Sequence, residues 1–225
     1  METWLIVAAE AREFAGILRR ASETRPLKCP EAAFARETAW RGARWILLAN
    51  GPGPALVDRM LSSSEIPEWR VGQTMSVGFC GALDPELGIG DIVVSGEGFR
   101  GPSDRFVQAE ILTADRVAVT SEEKRRLRQS TGAAVVEMEA AAVAEKARTW
   151  GLPFRAVKAV SDTADEDLAL DFNQYRDRDG RFQTPRIAAT ALFHPFVTLP
   201  GLLRLNRNCR RAAESLGAFL ADYEF

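Results

Sequence analysis

The chain has 225 residues, 46% of them apolar and 27% charged, with 29 Lys and Arg against 31 Asp and Glu for a formal net charge of −2. That length buries one core and requires no second domain, and the composition is that of an ordinary soluble globular protein. Mild acidity argues against a nucleic-acid binder, and a single histidine, His194, argues against a histidine zinc site or a Ser-His-Asp triad.

The opening Met1-Glu2-Thr3-Trp4-Leu5-Ile6-Val7-Ala8 lacks the basic start of a signal peptide and is too short to span a bilayer. Residues 4–9 read as a strand and residues 10–20 as the helix after it, with Phe14, Ile17 and Leu18 on one face. Residues 32–40 alternate like a strand, and residues 45–49 form a buried one. Asn50-Gly51-Pro52-Gly53-Pro54 is a turn feeding a helix over 55–63. Strands follow at 74–78, 91–95 and 107–112. Thr120-Ser121-Glu122-Glu123 is a capping box opening a basic helix over 121–129. A strand at 134–136, a helix over 139–150 and a strand over 154–160 complete the alternation. Residues 165–185 are polar and loop-like, with a turn at Asp177-Arg178-Asp179-Gly180. An apolar stretch over 187–205 is interrupted by Pro195 and Pro200, with Arg204, Arg207, Arg210 and Arg211 nearby. The pattern predicts a single α/β domain over 1–225, a mixed twisted sheet with helices on both faces, and residues 166–225 as an extension that serves as a lid or an apolar-substrate element. Cys29, Cys80 and Cys209 are odd in number and lack metal-ligand spacing, which fits a reduced cytoplasmic setting.

Ligands of such sheets bind beyond the carboxyl ends of the strands, and three segments lie there. Gly51-Pro52-Gly53 is either a tight turn or a place where backbone N–H groups meet an anion or a sugar; with Leu56 where a third glycine should be, it is not a dinucleotide fingerprint. Gly78-Phe79-Cys80-Gly81 pairs two glycines that bring the backbone close to a ligand or to a neighbouring strand. Glu137 and Glu139 flank Met138 at a helix start, where a dipole favours carboxylates and where Glu139 can accept both hydroxyls of a vicinal diol while Met138 lines the sugar face. Ser161-Asp162 ends a strand. Asp162 is a helix cap or a general acid for a purine ring nitrogen, a role that needs the raised pKa that burial supplies. Lys158 holds an anion, orients a water or snorkels to the surface. Glu10 and Glu13 are candidates for the base that activates a water, or solvated helix-start residues.

In order, Ala8-Ala9-Glu10, Asn50-Gly51-Pro52-Gly53, Gly78 to Leu83, Gly90 to Ser95, Val136-Glu137-Met138-Glu139-Ala140 and Val160-Ser161-Asp162 resemble the purine nucleoside phosphorylase and nucleosidase superfamily, in the branch of methylthioadenosine/adenosylhomocysteine nucleosidase. The resemblance implies an N-glycosidase with Asp162 as purine-protonating acid, supported by Ser161, and Glu139 with Met138 on ribose. It implies a water-activating glutamate just after the first strand, either Glu10 or Glu13, and puts Lys158 where an arginine is usual. Phe79 replaces a serine usual near the catalytic water or phosphate, and Val117 an aromatic residue that stacks on adenine. The family's tail ordinarily closes with one helix soon after the Ser-Asp, whereas some 60 residues follow Asp162 here.

That tail resembles the narrower hopanoid-associated phosphorylase-like group through Asp179-Gly180-Arg181, Pro185, Leu192-Phe193-His194-Pro195, residues 199–204 and Arg210-Arg211-Ala212. The implied reaction removes adenine from adenosylhopane, and the superfamily implies a homo-oligomer. Residues 187–205, apolar, broken by prolines and flanked by arginines, either take a sterol-like tail at the inner membrane face or are two core helices with a solvated basic face. Methylthioadenosine, adenosylhomocysteine or a futalosine-like nucleoside is the alternative substrate. A non-catalytic nucleoside- or lipid-binding module is the alternative class. No metal or redox cofactor is implied, and phosphate stands as a co-substrate if the bond is broken by phosphorolysis.

Overall fold

The computed structural model describes residues 1–223 apart from 97, 100–104 and 197. Among the described residues, ten strands form one sheet. They are β1 (Thr3–Ala8), β2 (Thr24–Pro26), β3 (Phe34–Trp40), β4 (Ala43–Ala49), β5 (Gln73–Ala82), β6 (Ile92–Gly96), β7 (Val107–Gln108), β8 (Ile111–Thr113), β9 (Val135–Glu137) and β10 (Phe154–Asp162). Their order is β2-β3-β4-β1-β5-β10-β6-β7, with β9 bridging the end of β5 to β8. The helices are α1 (Ala15–Arg20), α2 (Pro54–Met60), α3 (Ser121–Thr131), α4 (Ala140–Trp150), α5 (Thr184–Phe193) and α6 (Thr198–Asp222).

The four inner strands β4, β1, β5 and β10 run parallel. All six residues of β1 are buried, as expected for a strand covered on both faces. Alternation divides them: Trp4 and Ile6 pack under α1 and α6, while Leu5 and Val7 pack on the other side with Val57, Met60 and Val143. The outer hairpin closes through Arg41 and Gly42, both with positive φ (47° and 80°), the conformation that matches the twist of paired strands.

Three expectations change. Residues 107–112 are two strands, because the chain leaves the β6 edge after Ala109, whose N–H still donates to Val94, and joins β9 from Glu110, whose carbonyl accepts from Ala134. The helix expected over 10–20 begins as a tight 3-10 turn, Ala11–Phe14. Pro200 interrupts nothing, since it lies in the first turn of α6, where its missing N–H has no helical partner to lose. The second half of α6 is core rather than appendage: Ala212, Leu216, Phe219 and Leu220 fill the main apolar cluster. Gly16 of α1 and Gly217 of α6 let these helices touch, for a Cβ on Gly16 would stand 1.9 Å from the Ala213 carbonyl oxygen.

Candidate active site

The parallel strands deliver their carboxyl ends to one edge of the sheet, and a cavity of about 610 Å³ lies there. Its floor includes Glu13, Phe79, Cys80, Gly81, Val136, Glu137, Met138, Glu139, Ser161 and Asp162. Glu10 lines it as well, but stays partly exposed and pairs with Arg12 at 2.5 Å. The 3-10 turn sends Glu13 inward instead, where it is 5% exposed.

The two glycines of the Gly78-Phe79-Cys80-Gly81 segment make room for carboxylates of this chain. A Cβ on Gly78, where φ is +132°, would lie 2.0 Å from Glu13 Oε2. A Cβ on Gly81 would lie 2.9 Å from Asp162 Oδ2. The β5–β10 register slips by one between Val160 and Asp162, a bulge that re-aims the side chains at the strand end. Ser161 Oγ then sits 2.8 Å from Asp162 Oδ1.

Glu137 and Lys158 form the buried base of the site. Lys158 is fully buried and its Nζ meets Glu137 Oε2 at 2.8 Å and the Val77 carbonyl at 3.2 Å. Glu137 also accepts from Thr113 Oγ1 at 2.5 Å and from the N–H groups of Glu139 and Ala140, at 2.9 Å for the shorter contacts. Burial alone would raise its pKa, but the Lys158 charge and these hydrogen bonds hold it below the ordinary value. Two sequence expectations are corrected here. Lys158 is neither an anion holder nor a snorkelling surface residue, since its ammonium is spent on Glu137 inside the protein and does not line the cavity. Glu137 is not free to bind substrate, because Thr113, Lys158 and the start of α4 already occupy its carboxylate.

Glu13 and Glu139 are different. Burial, then the Glu139 charge, raises Glu13 to about 8. Burial, then the Glu137 charge, raises Glu139 to about 7. Glu139 Oε1 accepts from the Gly53 N–H at 2.9 Å. The Gly51 turn therefore offers its donor to this carboxylate rather than to an external anion, and Gly51 itself is a packing glycine outside the cavity wall, its N–H bonded to the Ala9 carbonyl. Cys80 is buried, and burial pushes its thiol well up, so it is neutral. Val117 lines the cavity, held by a two-way backbone contact with Asn173.

Lys124 escaped the sequence reading. It sits in the basic helix α3, fully buried, with Nζ 2.6 Å from Asp162 Oδ2. Asp162 therefore has an ion-pair partner that the strand-end pattern did not announce. The one sign was spacing: Lys124 stands three residues before Leu127, the only apolar residue of α3, and so shares its inward face.

The opposite wall is apolar and comes from residues 168–205: Leu168, Phe172, Phe182, Ile187, Leu199 and Leu202 among others. The polar segment before α5 is more ordered than a loop. Arg181 bonds the carbonyl and side chain of Asn50, and Arg176 bonds the carbonyls of Pro52, Asp115 and Gly180. At the outer rim of the wall Leu192 is 79% exposed, and beyond it Phe193 (82%) and Phe196 (94%) project at the α5–α6 corner. Among the described residues, no helix is long and apolar enough to cross a membrane.

The profile of the Phosphorylase superfamily matches residues 100–192. A 5'-methylthioadenosine/S-adenosylhomocysteine nucleosidase of Mycobacterium bovis is 35% identical over 81 residues, 36% of this chain and 31% of that protein. The Treponema pallidum enzyme of the same name is 31% identical over 102 residues, 44% and 38% of the two chains. The aligned stretch thus spans about a third of the length of these curated relatives. A futalosine hydrolase mutant of Helicobacter pylori superposes with a TM-score of 0.70 at 16% identity, over 98% of this chain and 97% of that one. A nucleosidase from Neisseria meningitidis in complex with methylthio-immucillin-A superposes with a TM-score of 0.68 at 18% identity, over 98% and 97%. The superposition takes in nearly the whole of both chains, so the residues after Asp162 belong to the shared fold. The chain is thus similar to the Phosphorylase superfamily by sequence profile over residues 100–192, and its fold is that of these hydrolase and nucleosidase structures.

Proposed function

We propose that this protein hydrolyses the N-glycosidic bond of an adenine nucleoside that carries an apolar 5' substituent. The observation that carries the reading is one cavity with buried Glu13, Glu139 and Asp162 on its floor and an aliphatic and aromatic wall opposite. Glu139 takes the ribose hydroxyls, Asp162 protonates the leaving purine, and Glu13 draws a proton from water. A base at about 8 is matched to operation near neutral pH. Glu13 and Glu139 raise each other's energy as anions, and a sugar acquiring positive charge relieves that repulsion, which favours the transition state over the ground state.

Hydrolysis is favoured over phosphorolysis because the groups that could cradle phosphate are engaged by carboxylates of this chain. Lys158 holds Glu137, the Gly53 N–H holds Glu139, and the hollow at Gly78 holds Glu13. The apolar wall supports a substrate of the adenosylhopane type over methylthioadenosine, adenosylhomocysteine or a futalosine-like nucleoside. The exposed Leu192, Phe193 and Phe196 at its rim, with exposed Arg207 and Arg210 further along α6, support contact with an anionic membrane surface. A homo-oligomer is the expected assembly, by resemblance to the superfamily.

The test is adenine release by purified protein from adenosines with a long alkyl or a methylthio group at the 5' position, with and without phosphate. The expected result is faster release from the alkyl substrate at a rate independent of phosphate. Release that requires phosphate would overturn hydrolysis; nucleoside binding with no release would overturn the enzyme.

A further inference from the structure

Four basic residues lie close together in α3, and three of them behave as expected: Arg125 and Arg126 are exposed and Arg128 pairs with Asp84. Lys124 is fully buried. A lysine loses several kcal/mol of hydration on such burial unless every donor is met. Its ammonium has three donors and finds three acceptors: Asp162 Oδ2 at 2.6 Å, the Thr163 carbonyl at 2.7 Å and the Glu166 carbonyl at 3.0 Å. Asp162 is thereby gripped at both oxygens, Oδ2 by Lys124 and Oδ1 by the Ser161 hydroxyl. The thiols of Cys80 and Cys209 also feel this carboxylate, and burial keeps both neutral. Among the described residues, no other cation forms an ion pair with Asp162.

We infer that Lys124 is a positioning residue for departure of the base, acting through Asp162, and this rests on the reading of Asp162 as the acid. As the C1'–N9 bond breaks, its electron pair passes to the purine and the Asp162 carboxyl proton passes to a purine ring nitrogen. A carboxylate is left behind in a buried site. Water adds to C1' and gives its proton to Glu13; both carboxyl groups then return to their starting states by exchange with solvent. An unpaired buried carboxylate would oppose the first transfer. The Lys124 ammonium stabilises it at the moment it forms and, being already bonded to two carbonyls, needs no reorganisation to do so.

The rival role is a staple. Lys124 ties the loop after β10 to α3, alongside the Ser121 N–H on Asp167 and the Leu168 N–H on Val119. A staple and a positioning residue differ in leaving-group dependence. The probes are an adenosine with a long 5'-alkyl group, whose base must be protonated, and p-nitrophenyl β-riboside, whose phenolate departs without a proton. For Lys124→Met, the ratio of adenine release to nitrophenolate release should fall ~100-fold, within the range of general-acid effects. Lys124→Arg, which keeps the charge, should recover part of that ratio and also serves if the Met variant fails to fold. Equal loss on both probes, or no loss on either, overturns the inference. An Asp162→Asn variant that releases adenine at the wild-type rate would sink the acid itself, a result separable from any behaviour of Lys124. If the riboside is not turned over, Lys124→Met is compared in the Asp162→Asn background: no further loss of adenine release supports the inference, and an independent loss overturns it.

Discussion

The floor and the far wall of the cavity are built from opposite materials. The floor is polar and buried: Glu13, Glu137, Glu139 and Asp162 gather at the strand ends, with Lys158 beneath Glu137 and Lys124 of α3 behind Asp162. The far wall is apolar and made by helices and a stapled loop, with side chains that continue out to the surface at Leu192 and Leu199. Charges brought together inside a protein cost several kcal/mol apiece unless paired, so the floor tolerates little change. Apolar contacts are individually weak and non-directional, so the wall can vary in shape without loss of the fold. On the proposed function, chemistry belongs to the first region and choice of substrate to the second.

The harshest way to break that division is Asp162→Asn. Base release should fall by roughly 10²- to 10⁴-fold, the range of a general acid, and the melting temperature should fall too, because the variant leaves the buried Lys124 ammonium without its carboxylate. A rate within a few-fold of wild type would move the chemistry elsewhere. Lys158→Met tests whether the base of the floor is structural. It strands Glu137 without its cation, and urea unfolding should show a loss of about 3–5 kcal/mol. Gly78→Ala places a methyl where Glu13 Oε2 now lies. Expulsion of that carboxylate should cost about 1–3 kcal/mol and reduce turnover at neutral pH.

The floor should also show itself in the pH dependence of stability. Glu13 at about 8 and Glu139 at about 7 hold their protons more tightly in the folded chain than in the unfolded one. Their contribution is complete below the ordinary glutamate value, near 4.5, and is lost as pH rises through 7 and 8, since the folded state then binds more protons than the unfolded. Stability of wild type should decline from pH 5 to 8, and Glu13→Gln should flatten part of that decline. A flat wild-type curve would contradict the cluster. Glu137, held below its ordinary value, acts in the opposite sense and loses its contribution only in more acidic solution. The smallest effect belongs to the wall. Leu192→Ser should raise KM for a 5'-alkyl nucleoside by about 10-fold, the scale of a few lost apolar contacts, and leave KM for methylthioadenosine unchanged. Equal shifts for both substrates would remove the wall from substrate choice.

The strand–helix alternation was legible along the chain because burial on both faces writes itself as short apolar runs, as in β1 and β10. So were the Ser161-Asp162 and Glu137-Met138-Glu139 segments, which stand at strand ends. Lys124 was not legible, because its helix reads as a solvated basic surface and its partner lies 38 positions away. Lys158 and Glu137 looked like two candidate site groups and are one buried pair. The Gly51, Gly78 and Gly81 positions announced close approach without saying to what.

Residue types and local spacing determined the α/β class, the strand ends and the choice of acidic residues, since periodicity and turn chemistry act over a few neighbours. Which carboxylate faces the cavity, which is neutralised by a lysine and which is raised by burial depended on the meeting of strands far apart in the chain. Desolvation and Coulomb forces are set by distance in space, and only the folded sheet supplies those distances. Glu10 and Glu13 make the point within one turn of the chain: two similar glutamates, one salt-bridged at the rim and one buried beneath Gly78.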